Sequence, residues 1–117
     1  MEIIEGRYDS TTTIYNKLVR DNIIDILTEQ GKTCDWFVEG VFDDYMAALD
    51  KKLNEELAEY YESNNLSELM DVVEVIYAIL KARGMDLNEF HLQRREKRNL
   101  KGGFERRIML KSVTERH

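Results

Sequence analysis

Apolar residues recur along this chain at intervals of three and four rather than two, a spacing that predicts helices. The clearest run lies between Phe42 and Ser63, where Met46, Leu49, Leu53, Leu57 and Tyr60 share one face. A second run, from Ser67 to Arg83, is the most apolar and is expected to be the central helix. Ser67 offers it an N-cap oxygen, and Gly84 closes it. Two shorter helices are expected: Arg20 to Gln30, with Ile23, Ile24 and Leu27 on one side and a stop at Gly31, and Asn88 to Asn99 after Asp86. The breaks fall at Gly31-Lys32, Gly40, Asn64-Asn65, Gly84 and Gly102-Gly103. The segment Gly103 to Val113 reads as a short strand or as an irregular tail, with Tyr15 to Val19 its pairing partner in the first case. Neither outcome alters the fold class, which is all-α.

At 117 residues the chain fits one domain spanning residues 1–117. Its 43% hydrophobic residues argue for a folded chain despite 34% charge, and the absence of proline permits long unbroken helices. The single Cys34 has no partner for an internal disulfide. The opening MEIIEGRYDS has neither the basic nor the apolar region of a secretory signal, so a cytoplasmic location is expected. Val72 to Leu80, interrupted by Glu74, falls well short of the ~20 residues that cross a bilayer, so no membrane partner is expected.

Net charge of −6 argues against a broad nucleic-acid footprint, which needs a basic face. The distribution of charge is more specific. Asp35 to Glu74 holds twelve acids against Lys51 and Lys52, whereas His91 to Lys111 holds eight Lys or Arg against Glu96 and Glu105. Such polarity suits a cation beside a polyphosphate, and equally a solvated acidic face followed by a basic tail.

On a helical wheel Glu56 and Glu59 fall at the edge of the second helix's apolar stripe, while Glu55 and Glu62 point to solvent. On the third helix Glu68 borders the stripe, Asp71 projects between Val75 and Ala78 into apolar surroundings, and Glu74 lies outside. A lone ionised Asp71 there would be costly. Antiparallel helices joined at Asn64-Asn65 would bring the four carboxylates face to face, with few local bases to neutralise them, and their repulsion calls for a cation. Oxygen ligands without nearby His or Cys favour Mg²⁺, or Mn²⁺, over zinc. A di-iron bundle would add Glu-x-x-His motifs, and neither His91 nor His117 is so placed.

These residues also carry a resemblance. The chain resembles the MazG-like all-α nucleoside-triphosphate pyrophosphohydrolases, including the phosphoribosyl-ATP pyrophosphohydrolase-like branch. The likeness runs through YNKLVRDNI (Tyr15 to Ile23), Gly31-Lys32, LDKKLNEELAEYYE (Leu49 to Glu62), SELMDVVEVIYAI (Ser67 to Ile79) and RREKRNLKGGFERRIML (Arg94 to Leu110). It implies a four-helix MazG-like bundle with its core at about 15–110. It also implies that the ExxE and ExxD pairs Glu56/Glu59 and Glu68/Asp71 bind Mg²⁺. The eight residues between Glu59 and Glu68 are fewer than in many members, which bears on substrate access. The implied reaction cleaves a nucleotide substrate between its α and β phosphates, giving a nucleoside monophosphate and pyrophosphate, often as house-cleaning of surplus nucleotides.

Glu56 or Glu59 could orient the attacking water, and Lys17, Arg20, Arg94, Lys97 and Arg98 are the candidate phosphate ligands. Each base could equally be a solvated side chain. Core packing is the expected fate of Trp36, Tyr45 and Phe104, and a plain turn that of Gly102-Gly103. The apolar third helix offers more surface than one copy covers, which predicts a homodimer or higher homo-oligomer. Two other readings stay open: phosphoribosyl-ATP hydrolysis, and a non-catalytic helical interaction module.

Overall fold

The structure, a computed structural model, describes residues 10–116. Four helices follow one another: α1 (Ile23–Glu29), α2 (Phe42–Ser63), α3 (Leu66–Ala82) and α4 (Leu87–Lys101). The chain divides into two compact units, Met1–Val75 and Ile76–His117, and the division falls inside α3.

In the first unit α2 follows its pattern closely. Leu49 is buried, and Met46, Leu53, Leu57 and Tyr60 are half-buried, so the stripe expected to face inward does so. Asp43 and Asp44 in the first turn complement the positive end of the helix dipole. At the other end Asn64 takes a left-handed conformation (φ 54°), and its N–H donates to the Tyr60 carbonyl at 2.8 Å. Asn is among the few residues that adopt this geometry cheaply. Asn65 then starts α3: its Oδ1 accepts from the Ser67 N–H at 2.9 Å, and its carbonyl accepts from the Glu68 N–H at 3.1 Å. The capping role expected of Ser67 therefore belongs to Asn65, because the helix begins one residue earlier than its apolar pattern indicates. With only two residues between them, α2 and the opening turns of α3 form a helical hairpin. Leu49 of α2 with Val72 and Val75 of α3 are its buried apolar side chains.

In the second unit α3 ends at Gly84 (φ 74°), where the Met85 N–H reaches back to the Leu80 carbonyl at 2.9 Å. This six-residue closure puts the terminal glycine where a Cβ would be strained. The Asp86 carboxylate accepts from the Glu89 N–H at 3.0 Å and starts α4. Beyond Gly102 the tail turns once, with the Arg107 N–H on the Phe104 carbonyl at 3.0 Å. No strand forms among the described residues, so the strand reading of Gly103 to Val113, and with it the pairing of Tyr15 to Val19, gives way to the irregular-tail reading. Arg107 at φ 55° interrupts the extended conformation, and an isolated pair of strands is marginal in water.

Leu49, only 2% exposed, is the most enclosed apolar side chain of the hairpin. Leu49→Ala is expected to cost about 2–5 kcal/mol in urea denaturation, against a smaller loss for the half-buried Leu53→Ala. Equal losses would mean that Leu49 is not the centre of the core.

Candidate metal centre

The carboxylates meet on the hairpin. Glu56 lies seven residues beyond Leu49, two helical turns along the same face, which is why a charged side chain ends up only 5% exposed. Glu68 sits in the first turn of α3, where the helix dipole favours an acid, and Asp71 follows three residues on. One oxygen each from Glu56, Glu68 and Asp71 lie within 4.8 Å of one another. Glu59 is outside this tight group but flanks it, within hydrogen-bonding reach of Glu56 and under the charge of Glu68. The four acids singled out from the sequence are thus neighbours, three of them close enough to share an ion.

The distribution of burial differs from the wheel. Asp71 is not alone in apolar surroundings: its side chain is 35% exposed, and its Oδ1 accepts from the Arg20 guanidinium at 3.0 Å. A wheel drawn for one helix cannot include a base fifty-one residues away. Glu56 is the enclosed acid. Its Oε1 meets Lys52 Nζ at 3.0 Å, while its Oε2 is buried without a hydrogen-bond partner. Glu55, expected to face solvent, is half-buried, with Oε2 enclosed and 3.7 Å from the same Lys52. Glu62 and Glu74 are exposed as expected.

Bases are therefore closer than the sequence suggested. Lys52 enters the sequence reading only as a charge, although its pairing with Glu56 had a signal there: the two are four apart on one helix. Lys52 and Arg20 together do not balance the cluster. If Glu56, Glu59, Glu68 and Asp71 are all ionised, at least two negative charges remain. Part of the relief falls on Glu59, whose carboxyl is held above its ordinary value. The hydrogen bond to Glu56 is the main cause, followed by partial burial and by the charges of Glu56 and Glu68, with Lys52 opposing.

The donor set fits a hard divalent cation. Three carboxylates and no nitrogen or sulfur ligand suit Mg²⁺ or Mn²⁺. Around octahedral Mg²⁺ adjacent ligand oxygens are about 3 Å apart and opposite ones about 4.2 Å, so oxygens up to 4.8 Å apart would have to draw together to share the ion. The unpartnered Glu56 Oε2 is an acceptor that such an ion would satisfy.

The candidate phosphate ligands separate into two groups. In the first unit Arg20 is engaged by Asp71, and exposed Lys17 has its Nζ 5.6 Å from the Tyr15 ring centroid. In the second, Arg98 is tied to Glu105 at 2.6 Å, and that bond holds the Glu105 carboxyl below its ordinary value. Arg94 and Lys97 on α4 are exposed and make no ion pair among the described residues. Trp36 and Phe104, expected in the core, are 59% and 95% exposed, and the Gly102-Gly103 pair ends α4 as a turn.

Because Glu59 binds its proton more tightly folded than unfolded, its contribution to stability is complete below the unfolded value near 4.5 and fades as pH rises through the raised one. Glu59→Gln, which mimics the protonated acid, should match the metal-free wild type at low pH and exceed it at neutral pH. The gain should stay below ~1 kcal/mol, since Glu59 is exposed and screened. Thermal unfolding of both proteins in chelator across this range would show the gap opening with pH, and a constant gap would contradict it. No protein-family model, curated protein or solved structure matches the chain, so what the cluster does must follow from its own side chains.

Proposed function

We propose that this chain is a Mg²⁺-dependent nucleoside-triphosphate pyrophosphohydrolase that cleaves between the α and β phosphates. The observation that carries this reading is the group of Glu56, Glu68 and Asp71 oxygens within 4.8 Å, one of its members nearly enclosed and short of a hydrogen bond. The motif resemblance of Glu56/Glu59 and Glu68/Asp71 supplies the reaction class. Glu56, Glu68 and Asp71 would hold the ion, and Lys52 anchors Glu56 by an ion pair from one turn away. When bound, Mg²⁺ supplies positive charge for the polyphosphate and makes water easier to deprotonate. Glu59, exposed beside the tight group, would orient a water and accept its proton in this reading. Among the exposed bases, Lys17 belongs to the same unit as the cluster and is the phosphate ligand of this reading. House-cleaning of surplus nucleotides in the cytoplasm is the role proposed, and phosphoribosyl-ATP is the alternative substrate.

A nucleotide panel tests the activity. Pyrophosphate release should require Mg²⁺ and fall at least ~100-fold in Glu56→Gln and Asp71→Asn, the loss expected when a group that organises metal-assisted hydrolysis is removed. Silence across the panel from folded protein would sink the enzyme reading, and phosphoribosyl-ATP turning over faster than every nucleoside triphosphate would select the alternative.

A second reading, an interaction module, is favoured by one observation. Trp36, Phe37 and Val38 run together at 59–80% exposure in the first unit, and Ile108, Met109 and Leu110 at 68–86% in the second. Contiguous apolar exposure of this kind marks association surfaces. It also supports self-association into a homodimer or larger assembly, which the enzyme reading shares. Sedimentation velocity at micromolar concentration should show a species above monomer mass, and a clean monomer would remove both the assembly and the main support for the module.

A further inference from the structure

The Arg20–Asp71 pair places a cation on one acid of the carboxylate cluster. Two bases touch these acids, and they are held differently. Lys52 belongs to the same helix as Glu56, is 15% exposed and lies against a carboxylate that is 7% exposed, so it is fixed by its own backbone. Arg20 stands in the non-helical stretch before α1, is 58% exposed, and reaches Asp71 by a single 3.0 Å contact from one Nη. An exposed pair of this kind is weak and exchangeable. A divalent ion shared by Glu56, Glu68 and Asp71 would lie against the oxygen region that the guanidinium now neutralises, and two cations on one half-exposed carboxylate repel each other.

We propose that Arg20 is the resident counter-cation of the metal-free cluster, and that binding of a divalent ion displaces it from Asp71 and frees its guanidinium for the polyphosphate. This rests on the metal-site reading above. Arg20 then has two successive partners: it limits carboxylate repulsion while the site awaits its ion, and it becomes a phosphate donor once the ion has taken over Asp71. A guanidinium suits both, because the same fork of N–H groups fits a carboxylate or a phosphate. Lys52 makes no such change.

The test uses the full chain with Mn²⁺ alone, without nucleotide, at fixed ionic strength, free ion being counted by electron paramagnetic resonance. Arg20→Gln is expected to bind Mn²⁺ about 2–5-fold more tightly than wild type, the range that loss of a competing exposed ion pair allows. Arg20→Lys, which keeps the charge, should fall between them. Lys51→Gln is the control for overall charge: Lys51 is exposed on α2 and makes no ion pair among the described residues, so its loss should leave affinity unchanged. In wild type, ¹⁵N signals of the Arg20 guanidinium should show restricted rotation in chelator and free rotation with Mg²⁺. Equal or weaker Mn²⁺ binding in Arg20→Gln, an equal gain in Lys51→Gln, or an Arg20 signal indifferent to Mg²⁺ would each overturn the exchange. If wild type binds Mn²⁺ and Glu56→Gln does not, the metal site stands whatever happens at Arg20. If neither wild type nor Arg20→Gln binds the ion, the metal site and the exchange fall together.

Discussion

The hairpin of α2 and α3 is organised around one electrostatic constraint: a nearly buried carboxylate, Glu56, with other acids crowded beside it. A charge in an enclosed position loses its hydration, and neighbouring negative charges repel it. The chain relieves the strain in three ways. Lys52 neutralises Glu56 along its own helix, Arg20 reaches Asp71 from a distant segment, and Glu59 holds its proton more tightly than an isolated acid. Neither Lys52 nor Arg20 is a hydrogen-bond partner of Glu56 Oε2. A polar atom left unsatisfied in an enclosed position is costly, and the costs persist where a ligand recovers them.

The same constraint explains why the helix connection matters. Glu56 and Glu59 are carried by one helix and Glu68 and Asp71 by the next, so their meeting depends on the chain reversing within two residues. Asn64 turns left-handed and Asn65 caps the following helix, so each of the two linking residues has one defined task. A longer or looser link would let the helices diverge, which is also what carboxylate repulsion favours. Local backbone chemistry thereby opposes the repulsion that the site generates.

Much of this was legible in the sequence because it is local. The period of Met46, Leu49, Leu53, Leu57 and Tyr60 marks α2 from Phe42 to Ser63, the bounds the structure shows, and Gly84 marks the end of α3. The choice of Glu56, Glu59, Glu68 and Asp71 over Glu62 and Glu74 also follows from helical spacing. What could not be read was the long-range part. Arg20 and Asp71 are fifty-one residues apart, so the wheel left Asp71 isolated and made it, rather than Glu56, the acid in greatest need. Lys52 is a different case: its four-residue spacing from Glu56 on one helix is a local signal of the ion pair, which the count of charges alone does not reveal. Of the two readings of the tail the strand gave way for a physical reason of its own, since a strand needs a partner and Gly103 to Val113 has none among the described residues.

The exposed apolar residues bear on the site as well as on assembly. The hairpin that confines the carboxylates buries only three apolar side chains among the described residues, Leu49, Val72 and Val75, with half-buried neighbours around them. Holding like charges together draws on whatever packing free energy the hairpin has, and a small core supplies little of it. Two sources could add to it: an ion that removes the repulsion, which stabilises by mass action whatever folded form binds it, and a second copy that covers exposed apolar surface. The first acts directly on Glu56, Glu68 and Asp71, and the second acts through surfaces such as Trp36 to Val38. Both would act by favouring the folded form, through different residues.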